Sequence, residues 1–339
     1  MKRKRMMKHG IGLIAAVALA IAFSSLPAMA EVQTRTITDD FGRNVTLHKV
    51  PERIISLSPT NTEILFAVGA GSRVVGVTEY CNYPEEAEAR DTVGGVSTVS
   101  IEKVVSQEPD LVLGCELNGK ETIERLTALN IAVVGLNPAN IREILDDILL
   151  VGALTGEEEN ASSLVADMER RLEELKEKTK DAKRPKVAHI TWHDPIWVAG
   201  SGTVQDELIG IAGGENAFSY REEWAAVSLE EFIDRNPDVI IVSAGHGVAG
   251  MQPYEYIVRD ERLDVVNAVK NKRVYTIDAD VASRAGPRIV DAAETFYHSL
   301  SDFFDVTTDA PEQSGFEAVL AVAGLLAVVV VVLLRRSGK

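Results

Sequence analysis

Few side chains in this 339-residue chain are placed for covalent chemistry. His193 and Asp194 are adjacent and raise acid–base catalysis, His193 and His246 raise a metal site, and Cys81 and Cys115 raise a disulfide or a thiol pair. No nucleophile elbow, phosphate-binding loop or paired-carboxylate arrangement accompanies His193 and Asp194, so turnover lacks its machinery. Neither histidine has a second histidine or a carboxylate at helical ligand spacing, so no resident metal is expected. Aromatic planes remain. All three tryptophans, Trp192, Trp197 and Trp224, fall in the second half, and Tyr80 and Tyr83 follow an apolar run in the first. Large aromatic planes with a few polar groups suit a flat, mostly apolar ligand, which points to binding without catalysis.

The elements that must position these residues alternate. A hairpin is expected around Asp40-Phe41-Gly42-Arg43. After Pro51 come "RIISLS" as a strand and "TNTEILFAVGA" as a helix with a capping box from Thr60 to Glu63. The strands "RVVGVTEY", "DLVLG" and "IAVVGL" then alternate with the helices "SIEKVVSQ", "KETIERLTALN" and "IREILDDILLVGALTG". Residues 157–185 read as one long charged helix with a thin apolar stripe of Leu164, Met168, Leu172 and Leu175. A second set follows: strands "KVAHITW", "DVIIVS" and "RVYTID", helices "TVQDELIGIAG" and "SLEEFIDRN", and a last helix from "PRIVDAAETF" onward. The fold class is therefore α/β, with two Rossmann-like lobes of parallel sheet, residues 31–156 and 186–306, joined by one helix.

The stretch "VSIEKVVSQEPDLVL", Val99 to Leu113, returns as "VSLEEFIDRNPDVII", Val227 to Ile241, at a constant offset of 128. Each lobe thus contains the same helix–strand unit, with Ser100 and Ser228 as N-caps and Glu102 and Glu230 in the first turn. A capping box from Ser228 to Glu231 leaves Glu230 without a capping duty. A first-turn carboxylate is favourable against the helix dipole in its own right. The repetition adds a second reading, one acidic contact per lobe for a two-fold symmetric partner.

In parallel α/β sheets, ligands lie beyond the carboxyl ends of the strands. Those ends carry Ser58 and Thr60 in "SPTNTE", Tyr80 and Asn82 in "TEYCNYP", Trp192 and Trp197 in "TWHDPIWVAGSG", and Arg284 after the last strand. Together with Trp224 they are the candidate ligand contacts of a cleft between the lobes.

The two ends set the compartment. Residues 1–30 combine a basic start, an apolar run and Ala28-Met29-Ala30, a secretory signal peptide with cleavage after Ala30. Residues 317–339 hold an uncharged run from Ala318 to Leu334 followed by Arg335, Arg336 and Lys339, which reads as a transmembrane anchor with its basic end in the cytoplasm. Residues 307–316 form a short polar stalk, so the body is held at the outer face of the membrane. The formal charge of −16 includes net positive ends, and a body more acidic still is no partner for nucleic acid. Compartment and parity favour a Cys81–Cys115 disulfide over two free thiols.

From about Thr34 to Phe304 the chain resembles the solute-binding proteins of ABC importers in the class whose lobes are joined by a single helix, and most of all the cobalamin-binding group. "ITDDFGRNVTL", "RIISLSPTNTEILFAVGAG", "VVGVTEYCNYP", "VGGVSTVSIEKVVSQEPDLVL", "AGGENAF" and "VSLEEFIDRNPDVIIV" carry the likeness. The resemblance implies a monomeric, non-enzymatic receptor that captures a corrinoid as transported ligand, with no cofactor of its own. It implies aromatic corrin contacts at Tyr80, Trp192, Trp197 and Trp224, and docking of Glu102 and Glu230 on a permease dimer served by an ATPase. A further aromatic of the family falls at Val96 here. An iron-siderophore or haem is the alternative cargo, leaning on Arg284; a metal-ion receptor using His193 and His246 and a surface enzyme using His193 and Asp194 are more distant readings. The tail resembles an archaeal surface-protein sorting signal, with Ser314-Gly315-Phe316 where that signal has Pro-Gly-Phe.

Overall fold

Strands buried on both faces need unbroken apolar runs, and this chain supplies them at regular intervals. The structure, a computed structural model, describes residues 34–245 and 252–304. It divides into two compact units: one runs to Asp167 and takes in Arg284–Pro287, the other comprises Met168–Ser283 and the residues from Arg288 onward. The expected signal peptide at 1–30, stalk at 307–316 and anchor at 317–339, and also His246, lie outside the described residues. Among the described residues, no helix is long and apolar enough to cross a membrane.

In the first unit, β1 (Arg35–Thr38) and β2 (Asn44–Leu47) form the expected antiparallel hairpin. Next come β3 (Ile54–Ser56), α1 (Pro59–Ala67), β4 (Val74–Val77), β5 (Asp91–Thr92), α2 (Ile101–Ser106), β6 (Leu111–Gly114), α3 (Lys120–Ala128), β7 (Val133–Gly135) and α4 (Ile141–Thr155). The five strands after the hairpin are parallel, in the order β5-β4-β3-β6-β7. Ile55, Val112 and Val133 of the sheet pack against Val104 of α2 and Ile123 and Leu126 of α3. The capping box read at Thr60 to Glu63 does not form. Ser58 is the N-cap, accepting from the Asn61 amide, and Pro59 occupies the first turn, where its missing N–H costs nothing.

The long helix α5 spans Glu158–Thr179. Met168, Leu172 and Leu175 are buried as the stripe requires, while Val165 takes the buried place expected of Leu164. From this helix Arg171 reaches Asp291 at 2.6 Å and Glu294 at 2.8 Å.

The second unit contains β8 (Lys186–His193), β9 (Ile196–Ala199), α6 (Val204–Ile211), β10 (Glu215–Asn216), β11 (Trp224–Val227), α7 (Leu229–Arg235), β12 (Val239–Ala244), α8 (Gln252–Arg259), α9 (Asn267–Lys270), β13 (Val274–Asp278), α10 (Ala279–Ser283) and α11 (Ile289–Ser299). Its main path runs β11-β9-β8-β12-β13, with β10 beside β8. The expectation of a wholly parallel sheet fails here. β8, β12 and β13 are parallel, but β9 runs antiparallel to both of its neighbours, β8 and β11. Only Asp194 and Pro195 join β8 to β9, and a parallel crossover needs a dozen residues or more.

The repeated unit is present in both halves, as α2–β6 and α7–β12. Ser100 accepts from the Lys103 amide and Ser228 from the Glu231 amide. The strand-opening aspartates do the same work: Asp110 accepts from the Glu52 and Arg53 amides leading into β3, and Asp238 from the Lys186 amide that opens β8. The second half of the expected Ser228–Glu231 box is absent, because the Glu231 carboxylate turns to Tyr220 and Arg221.

Candidate ligand-binding site

At the carboxyl edge of the first sheet, polar side chains stitch neighbouring loops together. Asn61 donates to Gly114 O at 2.9 Å. Thr62 Oγ1 lies 2.8 Å from Ser56 Oγ and 3.1 Å from Cys81 Sγ. Glu63 is buried and pairs with the buried Arg284 at 2.8 Å, and Arg284 also donates to Tyr80 O at 3.2 Å. Arg284, expected as a cleft cation, is therefore a buried structural residue that fixes the Tyr80 backbone while the Tyr80 ring remains 52% exposed. Ser58 is buried as a cap, Thr60 and Asn82 are partly exposed beside it, and Tyr83 is exposed.

The two cysteines are free thiols, which corrects the expected disulfide. Cys81 is buried with its sulfur 3.1 Å from Thr62 Oγ1 and 3.2 Å from Thr78 Oγ1. Cys115 opens the short turn Glu116–Asn118, and burial pushes its thiol pKa up despite backbone hydrogen bonds from Leu117 and Asn118.

That turn lies at a strand end where a ligand edge is expected, but its Asn118 is a residue the sequence alone does not single out. Asn118 is buried, accepts from Cys115 N at 2.7 Å and donates to Leu57 O and Val96 O, both at 2.9 Å. One side chain thus ties together three stretches of this edge. It also holds Leu117 outward, 73% exposed, next to the stretch carrying Val96. The signal was present in "GCELNG": an asparagine three residues after the strand-end cysteine can bond back to it, as turn asparagines do.

In the second unit, the aromatics belong to the antiparallel edge. Trp192 of β8 stands opposite Trp197 of β9, and Trp224 of β11 opposite Ala199. Opposed residues share a face, and so do alternate residues along a strand, so the register puts all three tryptophans on one face. Trp192 and Trp197 are 36% and 38% exposed, and the Trp192 indole N–H donates to Asp194 O at 3.0 Å. Trp224 is partly buried with its ring edge-on to His189 at 5.8 Å. His189 is fully buried, stacks on Phe296 and bonds Ser243 at 3.1 Å; burial pushes its pKa down to about 3, so it is neutral.

His193 lies between Trp192 and Tyr256, at 4.9 and 5.2 Å between ring centres, and lines a depression of about 460 Å³ with Gln252, Glu255, Arg259 and Asp260. Its Nδ1 has no hydrogen-bond partner, so Asp194 does not orient the ring as a catalytic dyad would require. Among the described residues, no group of three or more His, Cys, Asp or Glu stands close enough to hold a metal ion. Glu102 and Glu230 are both exposed in the first turns of α2 and α7.

Comparison with known proteins supplies the context for this geometry. Residues 54–281 match the periplasmic binding protein family. The chain belongs to that family. An uncharacterized ABC transporter substrate-binding lipoprotein of Bacillus subtilis is 32% identical over 278 residues, 80% of this chain and 86% of that protein. The solved structure of the periplasmic vitamin B12 binding protein of Vibrio cholerae is 26% identical, with a TM-score of 0.64, covering 76% of this chain and 99% of that one. That of a periplasmic heme-binding protein from Roseiflexus is 27% identical, with a TM-score of 0.65, covering 73% and 98%. This periplasmic binding protein is thus a substrate-binding component of an ABC transporter, a class of extracytoplasmic carriers that work with a permease and an ATPase and are not enzymes.

Proposed function

We propose that this protein captures a corrinoid of the cobalamin class and delivers it to an importer. The observation that carries this reading is the Trp192–Trp197 pair: two large aromatic planes held more than a third exposed by a two-stranded register. Leaving such surface in water is unfavourable by roughly 25 cal/mol per Å², which a flat apolar macrocycle recovers on binding. Tyr80 and Leu117 give the first unit's strand-end edge apolar surface of its own, and similarity to a vitamin B12 binding protein supports the choice of cargo. Glu102 and Glu230, exposed at equivalent points of the repeated unit, would meet basic residues on the two subunits of a permease dimer. The C-terminal run from Ala318 to Leu334 would hold the carrier at the outer face of the membrane.

A second reading, heme, is favoured by His193, whose Nδ1 is unpartnered inside an aromatic setting. An imidazole of that kind can ligate heme iron. Tryptophan fluorescence separates the two. Cyanocobalamin should quench wild-type emission at micromolar or lower ligand, and Trp192→Ala should weaken binding about tenfold, or ~1.4 kcal/mol. Hemin binding that is lost in His193→Ala, with no response to cyanocobalamin, would replace the corrinoid reading by the heme one.

A further inference from the structure

The first unit contains a group that ligand capture does not use. Asp147, on α4, is 3% exposed, and its Oδ2 has no hydrogen-bond partner. Its side chain shares a hydrogen bond with Asp40, at the turn of the β1–β2 hairpin, where Asp40 also accepts from the Asn137 amide at 2.6 Å. A buried carboxylate left this way is costly unless it keeps a proton. The neighbouring charges Glu143 and Asp146 on its own helix and Asp40 on the hairpin are all acidic and add to that cost. Arg43, on the same hairpin as Asp40, is committed to Asp39 and to Val133 O. Burial first, then those charges, push the Asp147 pKa up to about 8, while Asp40 is also raised, chiefly by burial.

The pair joins two separate pieces of the unit. The hairpin turn reaches the end of β7 through Asp40 N to Gly135 O at 3.2 Å and Gly135 N to Asp39 at 3.0 Å. Phe41 lies so close over Gly135 that a Cβ there would collide with its ring. Phe41 and Arg43 form one wall of a cavity of about 520 Å³ whose other lining includes Cys115, Glu116 and Lys120, the residues leading into and out of the Leu117 turn.

We propose that Asp40 and Asp147 form a proton-sharing latch that holds the N-terminal hairpin against α4 and releases it in alkaline conditions, loosening the wall beside Cys115. The sign follows from linkage. A carboxyl raised in the folded state contributes stability that is complete below the ordinary carboxylate range and is lost as pH rises toward its folded value. Above that value, two carboxylates face each other and repel.

The test is hydrogen exchange of the hairpin amides and of Asn137, together with the rate at which Cys115 reacts with a thiol reagent, on the full chain between pH 6 and 9. After correction for intrinsic rates, wild-type protection should fall at least tenfold across that range and Cys115 should react faster relative to a free thiol. Asp147→Asn, which keeps a donor without a proton to lose, should flatten both. Asp40→Asn, whose amide can donate to an ionised Asp147, should flatten them too and serves if the first variant folds poorly. Parallel pH profiles for wild type and either variant would overturn the latch, as would wild-type protection that does not change between pH 6 and 9.

Discussion

The two units are built on the same helix–strand piece, yet they finish their carboxyl edges in opposite ways. Ser100 and Ser228 cap, Asp110 and Asp238 clamp the neighbouring strand, and Glu102 and Glu230 stand exposed at matching positions. Beyond that piece the likeness ends. The first unit closes its edge with polar locks, Glu63–Arg284 and Asn118, while the second turns back into an antiparallel ribbon that displays tryptophans. Burial shifts their buried titratable groups in opposite directions to the same neutral end: Asp147 keeps its proton and His189 does not take one up. Duplication preserves the scaffold that positions a site, and the loops and edges written onto it set the chemistry.

The strongest way to break this contrast is at the buried ion pair. Arg284→Leu leaves Glu63 buried without its cation and should cost ~3–5 kcal/mol in denaturant unfolding, whereas adding Glu63→Gln should restore part of that loss. A cost below about 1 kcal/mol would show that the first unit's edge does not depend on the lock. The next effect belongs to the second unit. The His189 pKa lies below its ordinary value of 6.5, so the unfolded chain takes up the proton first and stability falls as pH drops from 6.5 toward 3. Between pH 6.5 and 4.5 this group alone should remove about 2–3 kcal/mol, a slope that His189→Gln abolishes and that runs opposite to the Asp147 effect.

The smallest effect sharpens the comparison inside the repeat. Glu108 and Asn236 occupy equivalent positions and both have φ of 47°, a left-handed conformation that suits asparagine better than glutamate. Glu108→Asn should therefore stabilise the first unit by ~0.5–1 kcal/mol. The reverse change, Asn236→Glu, should cost more than that, because the Asn267 amide loses its acceptor, Asn236 Oδ1, at 2.8 Å. Equal and opposite shifts in thermal unfolding would show that backbone conformation alone governs both sites.

Much of the scaffold was legible because parallel strands declare themselves. "DLVLG" and "DVIIVS" are apolar runs bounded by Pro-Asp and by glycine or serine, and both are buried strands. The antiparallel ribbon was harder to read. "DPIWVAG" carries Asp194-Pro195, an ordinary loop signal, and only the pairing of Ile196 and Trp197 back onto β8 makes it a strand. Arg284 looked like a cleft cation because it follows a strand end, but no local pattern ties it to Glu63, 221 positions earlier in the chain. Cysteine parity likewise carried no geometry: Cys81 is packed against threonines and Cys115 turns toward its own loop. The tryptophans were identifiable by type, whereas their common face depended on strand register that the sequence does not print.

The central claim is that the partly exposed tryptophan ribbon is the receiving surface for a corrinoid. Calorimetric titration of the full chain with cyanocobalamin, alongside hemin and a ferric hydroxamate, tests it most directly. Saturable heat with cyanocobalamin at micromolar affinity or tighter is the expected result, reduced about tenfold in Trp192→Ala. Saturable binding of hemin or the ferric hydroxamate with no heat from cyanocobalamin would contradict it.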